Sequence, residues 1–215
     1  KELREVKESL EFLSKQLDES KINNETLQKE NEALKKENLA LKEDCDKCMK
    51  QLNDHETRIT NSEQYSRNRN VEIKGIEEGS NENLHEILCQ MGTTLNEPIT
   101  ASDIDVCHRV KTKNDASCSN IVVQFKSRSK RDAFLIKARK TRLSTNDIGR
   151  STNKPVFVNE HLCPTLKRLL GMAISKKKAC EWKFVWTRDG KIFARKDEQS
   201  RVLRVNCESD IAKIV

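Results

Sequence analysis

Aromatic residues are scarce in this sequence: six Phe, two Trp and one Tyr, 4% of 215 residues. Hydrophobic residues reach only 35%, matched by 35% charged residues. A single globule of this length is usually more apolar, so part of the chain is expected to have no wide core of its own. Glycine and proline are few (six and three), and neither occurs before Gly75. Nothing therefore breaks a helix in the first third. No apolar run approaches the roughly 18 residues of a membrane span, and no secretory signal is visible. The expectation is an intracellular protein, cytoplasmic and/or nuclear, with no membrane partner. The sequence begins at Lys1 rather than methionine, which leaves room for residues upstream.

The usual marks of catalysis are also missing. There is no P-loop, no His/Asp metal cluster, no nucleophile elbow and no paired acidic motif. Asp103 and Asp105 share one stretch but have no partners, as on a solvated face. No catalytic residue, metal or cofactor is expected. Eight cysteines stand at 45, 48, 89, 107, 118, 163, 180 and 207. Only Cys45 and Cys48 have C-x-x-C spacing, with no second pair to complete a zinc site. The thiols read as reduced and mostly structural.

What is present begins with a heptad repeat. With Leu3 at position a, the a positions continue through Leu10, Leu17, Asn24, Asn31, Asn38, Cys45, Leu52 and Ile59. The d positions include Val6, Leu13, Leu27, Leu34, Leu41 and Cys48. Eight sustained heptads with charged flanks predict a parallel coiled coil over residues 1–64. Three successive Asn at a restrict register and accompany parallel dimers. RITNSE (58–63) approximates a trimer pattern in which Ser62 replaces the apolar residue, so two and three strands both stay open. Cys45 and Cys48 fall in the seam, where packing or an interchain clip are the two readings.

Residues 65–159 read as a small α/β unit. VEIKGI (71–76), DIDVCHRV (103–110), IVVQF (121–125) and PVFV (155–158) are strand-like. The second is expected to place Ile104, Val106 and Val110 on one side. Two helices lie between strands. One runs through ENLHEILCQMGTTL, capped by Ser80; the other is RDAFLIKARK, capped by Ser127 or Ser129. In the second, Phe134, Leu135 and Ala138 are expected inward, with Lys137, Arg139 and Lys140 outward. The order β-α-β-β-α-β is that of ferredoxin-like, RNA-recognition-like domains. The positions that carry base-stacking rings in such modules hold Glu72, Asn120 and Val122, so base stacking by this sheet is not expected.

Residues 160–215 form a third, α+β segment. Pro164 opens a helix with Leu166, Leu169, Leu170 and Ala173 on one stripe. KFVWTRDGKIFARK (183–196) follows, with Asp189-Gly190 marking a two-residue hairpin turn. Arg188 then faces Lys191, Trp186 faces Phe193 and Phe184 faces Arg195. The three rings carry the larger apolar area and are expected to pack against the Leu166–Ala173 helix, leaving Arg188, Lys191 and Arg195 as a basic rim. RVLRV (201–205) is a further strand, and Ser209 or Asp210 is expected to cap a last short helix. The overall fold class is α+β.

Charge is unevenly spread. Residues 1–60 hold 12 basic and 15 acidic residues, a net of −3, so +10 of the total +7 lies beyond them. Residues 109–142 hold 11 basic against 2 acidic, and 165–204 hold 12 against 4. Such clusters mark either a polyanion partner or a well-solvated surface. The candidate phosphate contacts are Arg67 and Arg69 beyond the coil, Arg109 at a strand end, and Arg128, Lys130 and Arg131 opening a helix. Lys137 and Lys140 on that helix, Lys177, and the hairpin's Arg188, Lys191 and Arg195 complete the set. The candidate oligomerisation residues are Leu10, Leu17, Asn24, Leu27, Asn31, Leu34, Asn38, Leu41, Leu52 and Ile59.

Four stretches, EQYSRNRNVEIKGI, SRSKRDAFLIKARK, VFVNEHLCPTLKRLL and KFVWTRDGKIFARKDEQSRVLRV, resemble in that order the baculovirus few-polyhedra protein and its arthropod relatives. The resemblance spans roughly residues 56–215. The architecture is also similar to the first-frame protein of LINE-type retrotransposons. That likeness implies a self-associating, single-strand RNA-binding chaperone; the viral likeness implies a role in virion and occlusion-body assembly. The leading expectation is an oligomeric, sequence-tolerant binder of single-stranded RNA or DNA. A structural assembly protein acting through protein contacts is the alternative.

Overall fold

The computed structural model describes residues 2–111 and 119–215. Cys118 and most of the polar loop expected after Val110 lie outside them. The protein is α+β and divides into two compact units, Lys1–Thr57 and Arg58–Val215. The first consists of helix α1 (Glu2–Ser66), whose last turns belong to the second. Along α1, Leu10, Leu13, Leu17, Leu27, Leu34, Leu41, Leu52 and Ile59 are 57–62% exposed in the single chain. These apolar positions of the repeat thus find nothing to pack on among the described residues.

In the second unit a five-stranded antiparallel sheet is ordered β2-β3-β1-β5-β4. Its strands are β1 (Asn70–Lys74), β2 (Ile104–Lys111), β3 (Ser119–Phe125), β4 (Leu143–Ser144) and β5 (Pro155–Glu160). Helices α2 (Leu84–Thr94) and α3 (Arg128–Lys140) follow β1 and β3. Val71, Ile73, Ile121, Val123 and Phe125 alternate onto the face that packs with Leu88, Met91, Phe134 and Leu135 in one buried cluster.

Local chemistry departs from several sequence expectations. The cap of α2 is Asn83, whose side-chain oxygen accepts from the amides of His85 and Glu86, rather than Ser80. A register shift between Ile104 and Val106 divides β2. Ile104 enters the core while Val106 and Val110 turn to the opposite face, 46% and 41% exposed. Ser127 stands at the cap of α3, but its hydroxyl bonds Ser129 instead of a helix amide. Arg139, expected outward, reaches Glu160.

The C-terminal part has its own core. Helix α4 (Pro164–Ala179) precedes strands β6 (Phe184–Arg188), β7 (Lys191–Arg195) and β8 (Leu203–Val205), then helix α5 (Glu208–Ile211). Cys207 stands at the cap of α5, while Asp210 lies inside it and accepts from the Asn206 amide. The hairpin register is the expected one, with Asp189 and Gly190 at φ 53° and 69° in its turn. The face is not. Val185, Ile192, Ala194, Leu203 and Val205 pack with Leu166, Leu169 and Ala173, while Phe184, Trp186 and Phe193 lie on the other side, half-exposed. Ala173 and Ala194 are both fully buried, so helix and sheet approach too closely to admit rings between them.

The hairpin turn is held from outside. The Glu160 carboxylate, 2% exposed, accepts from the amides of Asp189 (3.1 Å) and Gly190 (2.8 Å) and pairs with Arg139 at 2.9 Å. Gln64, near the end of α1, accepts from the Cys163 amide and donates to the His161 carbonyl. A Cβ on Gly190 would lie 2.5 Å from the Gln64 Cγ, so the position requires glycine for space as well as for φ. Glu160→Ala would leave two turn amides without their acceptor and Arg139 with only the Thr187 carbonyl. It is expected to cost about 2–4 kcal/mol in urea unfolding followed by Trp fluorescence. A loss well under 1 kcal/mol would show that the carboxylate is dispensable.

Candidate nucleic-acid interface

The structure sorts the candidate cations into committed and available ones. Arg109 is committed most fully: its guanidinium donates to both Glu82 oxygens at 2.7 Å and to the carbonyls of Ile76, Ser119 and Glu77. Its hydrogen bond holds the Glu82 carboxyl below the ordinary range. Arg131 is also interior, donating to the Asn70 carbonyl and to Asp132, and is 1% exposed. Both residues, expected to meet phosphate, are instead placed in interior structural contacts, although the buried Nη2 of Arg131 has no hydrogen-bond partner among the described residues. Lys130 pairs with Glu97 at 2.8 Å. Arg128 lies between Asp132 (3.7 Å) and Asp189 (3.4 Å). Arg67 bonds back to the Glu63 carbonyl.

The others face solvent. Arg69 is exposed, with one long bond to the Lys126 carbonyl. Lys137, Lys140 and Lys191 are exposed, and Arg188 is 76% exposed beside Asp189. Lys177 and Arg195 are half-exposed. Arg195, Lys191 and Arg188 converge on the outer face of the β6–β7–β8 sheet, where Trp186 and Phe193 stack at 5.7 Å and 23°. The Arg195 guanidinium lies over the Phe184 ring, 5.1 Å from its centroid. Lys177 joins Lys183, Phe184, Val185, Trp186, Arg195 and Val202 around an open cleft of about 370 Å³.

Two cations at this face escaped the sequence reading. Arg204 stands opposite Phe193 on β8, and Lys183 lines the cleft. A signal for Arg204 was present. Once β8 pairs with β7, the face of Val185, Ile192, Ala194, Leu203 and Val205 carries no charge, whereas the ring face collects Arg188, Lys191, Arg195 and Arg204. A charge-free face is the one that can be buried.

The larger sheet offers less. On its outer face Glu72 is 4% exposed and receives Lys167 of α4 at 2.9 Å and the Asn120 amide at 2.9 Å. Burial pushes the Glu72 carboxyl up, but Lys167, Lys74 and Asn120 outweigh it and bring the group below its ordinary value. Val122, paired with Glu72, is 3% exposed. The middle of this face is therefore closed. Burial pushes the Cys107 thiol up to about 11, so it stays protonated. Among the described residues no group of His, Cys, Asp and Glu could hold a metal ion.

Comparison with known families places one part of the chain. Residues 163–215 match the model of the baculovirus FP protein domain 2. The match begins at the residue that caps α4 and takes in α4, the β6–β7–β8 sheet and α5. No curated protein matches the chain.

His161, between β5 and α4, reports on the closed face. Burial, then Lys167, Arg67 and His108 against the opposing Glu72, lower its pKa to about 4. The neutral ring lies 3.3 Å from the Asn70 amide through Nδ1. The unfolded chain binds the proton first, near 6.5, so stability contributed above that pH is lost as pH falls towards about 4. Between pH 7 and 5 the loss should be on the order of 1 kcal/mol, allowing for the ring's partial exposure. His161→Gln should flatten that part of the profile in urea unfolding; an unchanged slope would assign it to other groups.

Proposed function

We propose that this chain is a self-associating, largely sequence-tolerant single-stranded nucleic-acid-binding protein, of the kind represented by retrotransposon first-frame chaperones, and not an enzyme. One observation carries the reading. Lys137, Lys140, Lys177, Lys191 and Arg195 have no carboxylate partner among the described residues, and Lys183 has only the neighbouring Asp197. They belong to the part of the chain that holds +10 of net charge beyond residue 60. Arg69 and Arg188 extend the set, and Arg109 and Arg131 are left out of it. Phosphate contacts of this type are individually weak and additive.

Two further features support the reading. The strand order with β1 and β3 central, two helices on one face and a short additional edge strand is in keeping with a ferredoxin-like, RNA-recognition-like module. The unpartnered heptad leucines of α1 suit a parallel coiled coil of two or three copies, with the Asn24, Asn31 and Asn38 layers selecting register. Linking copies converts weak contacts into avidity. An intracellular nucleic acid is the partner that suits this design.

Two measurements test it. Affinity of the full chain for a single-stranded RNA should fall about tenfold or more between roughly 50 and 200 mM salt; salt-independent binding, or none, overturns the reading. Leu27→Glu, Leu34→Glu and Leu41→Glu together should give a monomer in sedimentation equilibrium and weaken binding by about 100-fold or more. An assembled triple variant would remove the coiled coil from the account.

A further inference from the structure

The geometry points to a nucleobase-stacking site on the outer face of the β6–β7–β8 sheet, centred on Trp186 and resting on the proposed binding of single strands. In RNA-recognition modules the stacking rings stand on the larger sheet. Here the centre of that sheet's outer face is closed by Glu72, Val122 and Lys167. Rings and cations instead occur together on the smaller sheet. Phe184 and Trp186 on β6, and Phe193 on β7, project to one side, with Arg188, Lys191, Arg195 and Arg204 among them. No acidic residue occupies an outward strand position of this face.

Three details favour a base over a generic anion. Flat surfaces come first: the Trp186–Phe193 stack and the Phe184–Arg195 pair present planar groups, on which any base can lie. Next is unused polarity. The Trp182 indole donates to the Val215 carbonyl, whereas that of Trp186 has no protein acceptor among the described residues. Last is room. The cleft of about 370 Å³ between Trp186, Phe184, Arg195, Lys177 and Lys183 is within the lower range of small-ligand sites, and its two lysines stand where a backbone phosphate would follow a stacked base. Rings of this size are rarely left uncovered without a partner, and the basic surroundings select a polyanion carrying flat apolar groups. A single-stranded nucleic acid has that chemistry; an acidic protein surface lacks the flat groups.

The test uses the full chain and three strands of equal length: an oligouridylate, an oligothymidylate and an abasic phosphodiester. Trp186→Ala should weaken both base-bearing strands about tenfold or more and leave the abasic strand within about twofold. Trp186→Phe, which keeps a ring, should restore most of the affinity, and the Trp182 fluorescence it retains reports an intact fold. Preference between uridylate and thymidylate tells RNA from DNA and leaves the site standing either way. Equal losses on all three strands, or none, overturn the stacking site while salt-dependent binding upholds the nucleic-acid reading. If the unaltered protein binds none of the strands, both fall together.

Discussion

The buried Glu160 carboxylate is the constraint on which the arrangement of the second unit depends. It closes β5, so it is part of the larger sheet, yet its oxygens are spent on the hairpin turn of the smaller one. A carboxylate so deeply enclosed must satisfy its acceptors, and two turn amides with Arg139 do so. The turn has the left-handed geometry that directs two consecutive N–H groups to one side. Gln64 completes the attachment from α1, with glycine at 190 the residue that admits it. The two hydrophobic clusters are separate, but polar groups with no spare partners join the layers around them into one compact unit.

That attachment decides which surfaces remain open. With α4 seated on the charge-free face of the hairpin sheet, its Lys167 reaches Glu72 and closes the middle of the larger sheet. The consequence is an exchange of roles. The larger sheet has the middle of its outer face filled by an ion pair, while the smaller sheet, packed on α4, displays the rings. Arg109 and Arg131 follow the same logic: they hold strand ends and helix together from the interior, whereas Lys137, Lys140, Lys177 and the hairpin cations stay at the surface.

Much of this was legible in the residues. Period-2 alternation located β1 and β2, short apolar runs located β3 and β5, the heptads located α1, and Asp189-Gly190 set the hairpin register residue for residue. What failed had identifiable physical causes. Apolar area alone chose the wrong hairpin face because the buried side is selected by close approach, for which Ala173 and Ala194 are suited and indoles are not. The bulge in β2 reversed Val106 and Val110, and strict alternation carries no sign of such an insertion. Arg109 and Arg131 resembled surface cations because their partners, Glu82 and the Asn70 carbonyl, lie 27 and 61 residues away. The cap at Asn83 was locally visible, since Asn is among the preferred cap residues and Glu86 follows three positions later.

The division of labour between α1 and the head has a further physical logic. A face offering a few stacked rings and scattered cations binds any sequence, because every base has a flat surface and every nucleotide a phosphate. The affinity per copy of such a face would be correspondingly modest. A parallel coiled coil would supply what such a face lacks without adding contacts: the second engagement becomes intramolecular. Sequence tolerance and oligomerisation are then two halves of one design. On the proposed reading, strength would arise from copy number, and indifference to sequence from the planar chemistry of Phe184, Trp186, Phe193 and Arg195. Selectivity for single strands would follow as well, since a paired base in a duplex keeps both faces stacked and has none to offer the Trp186 ring.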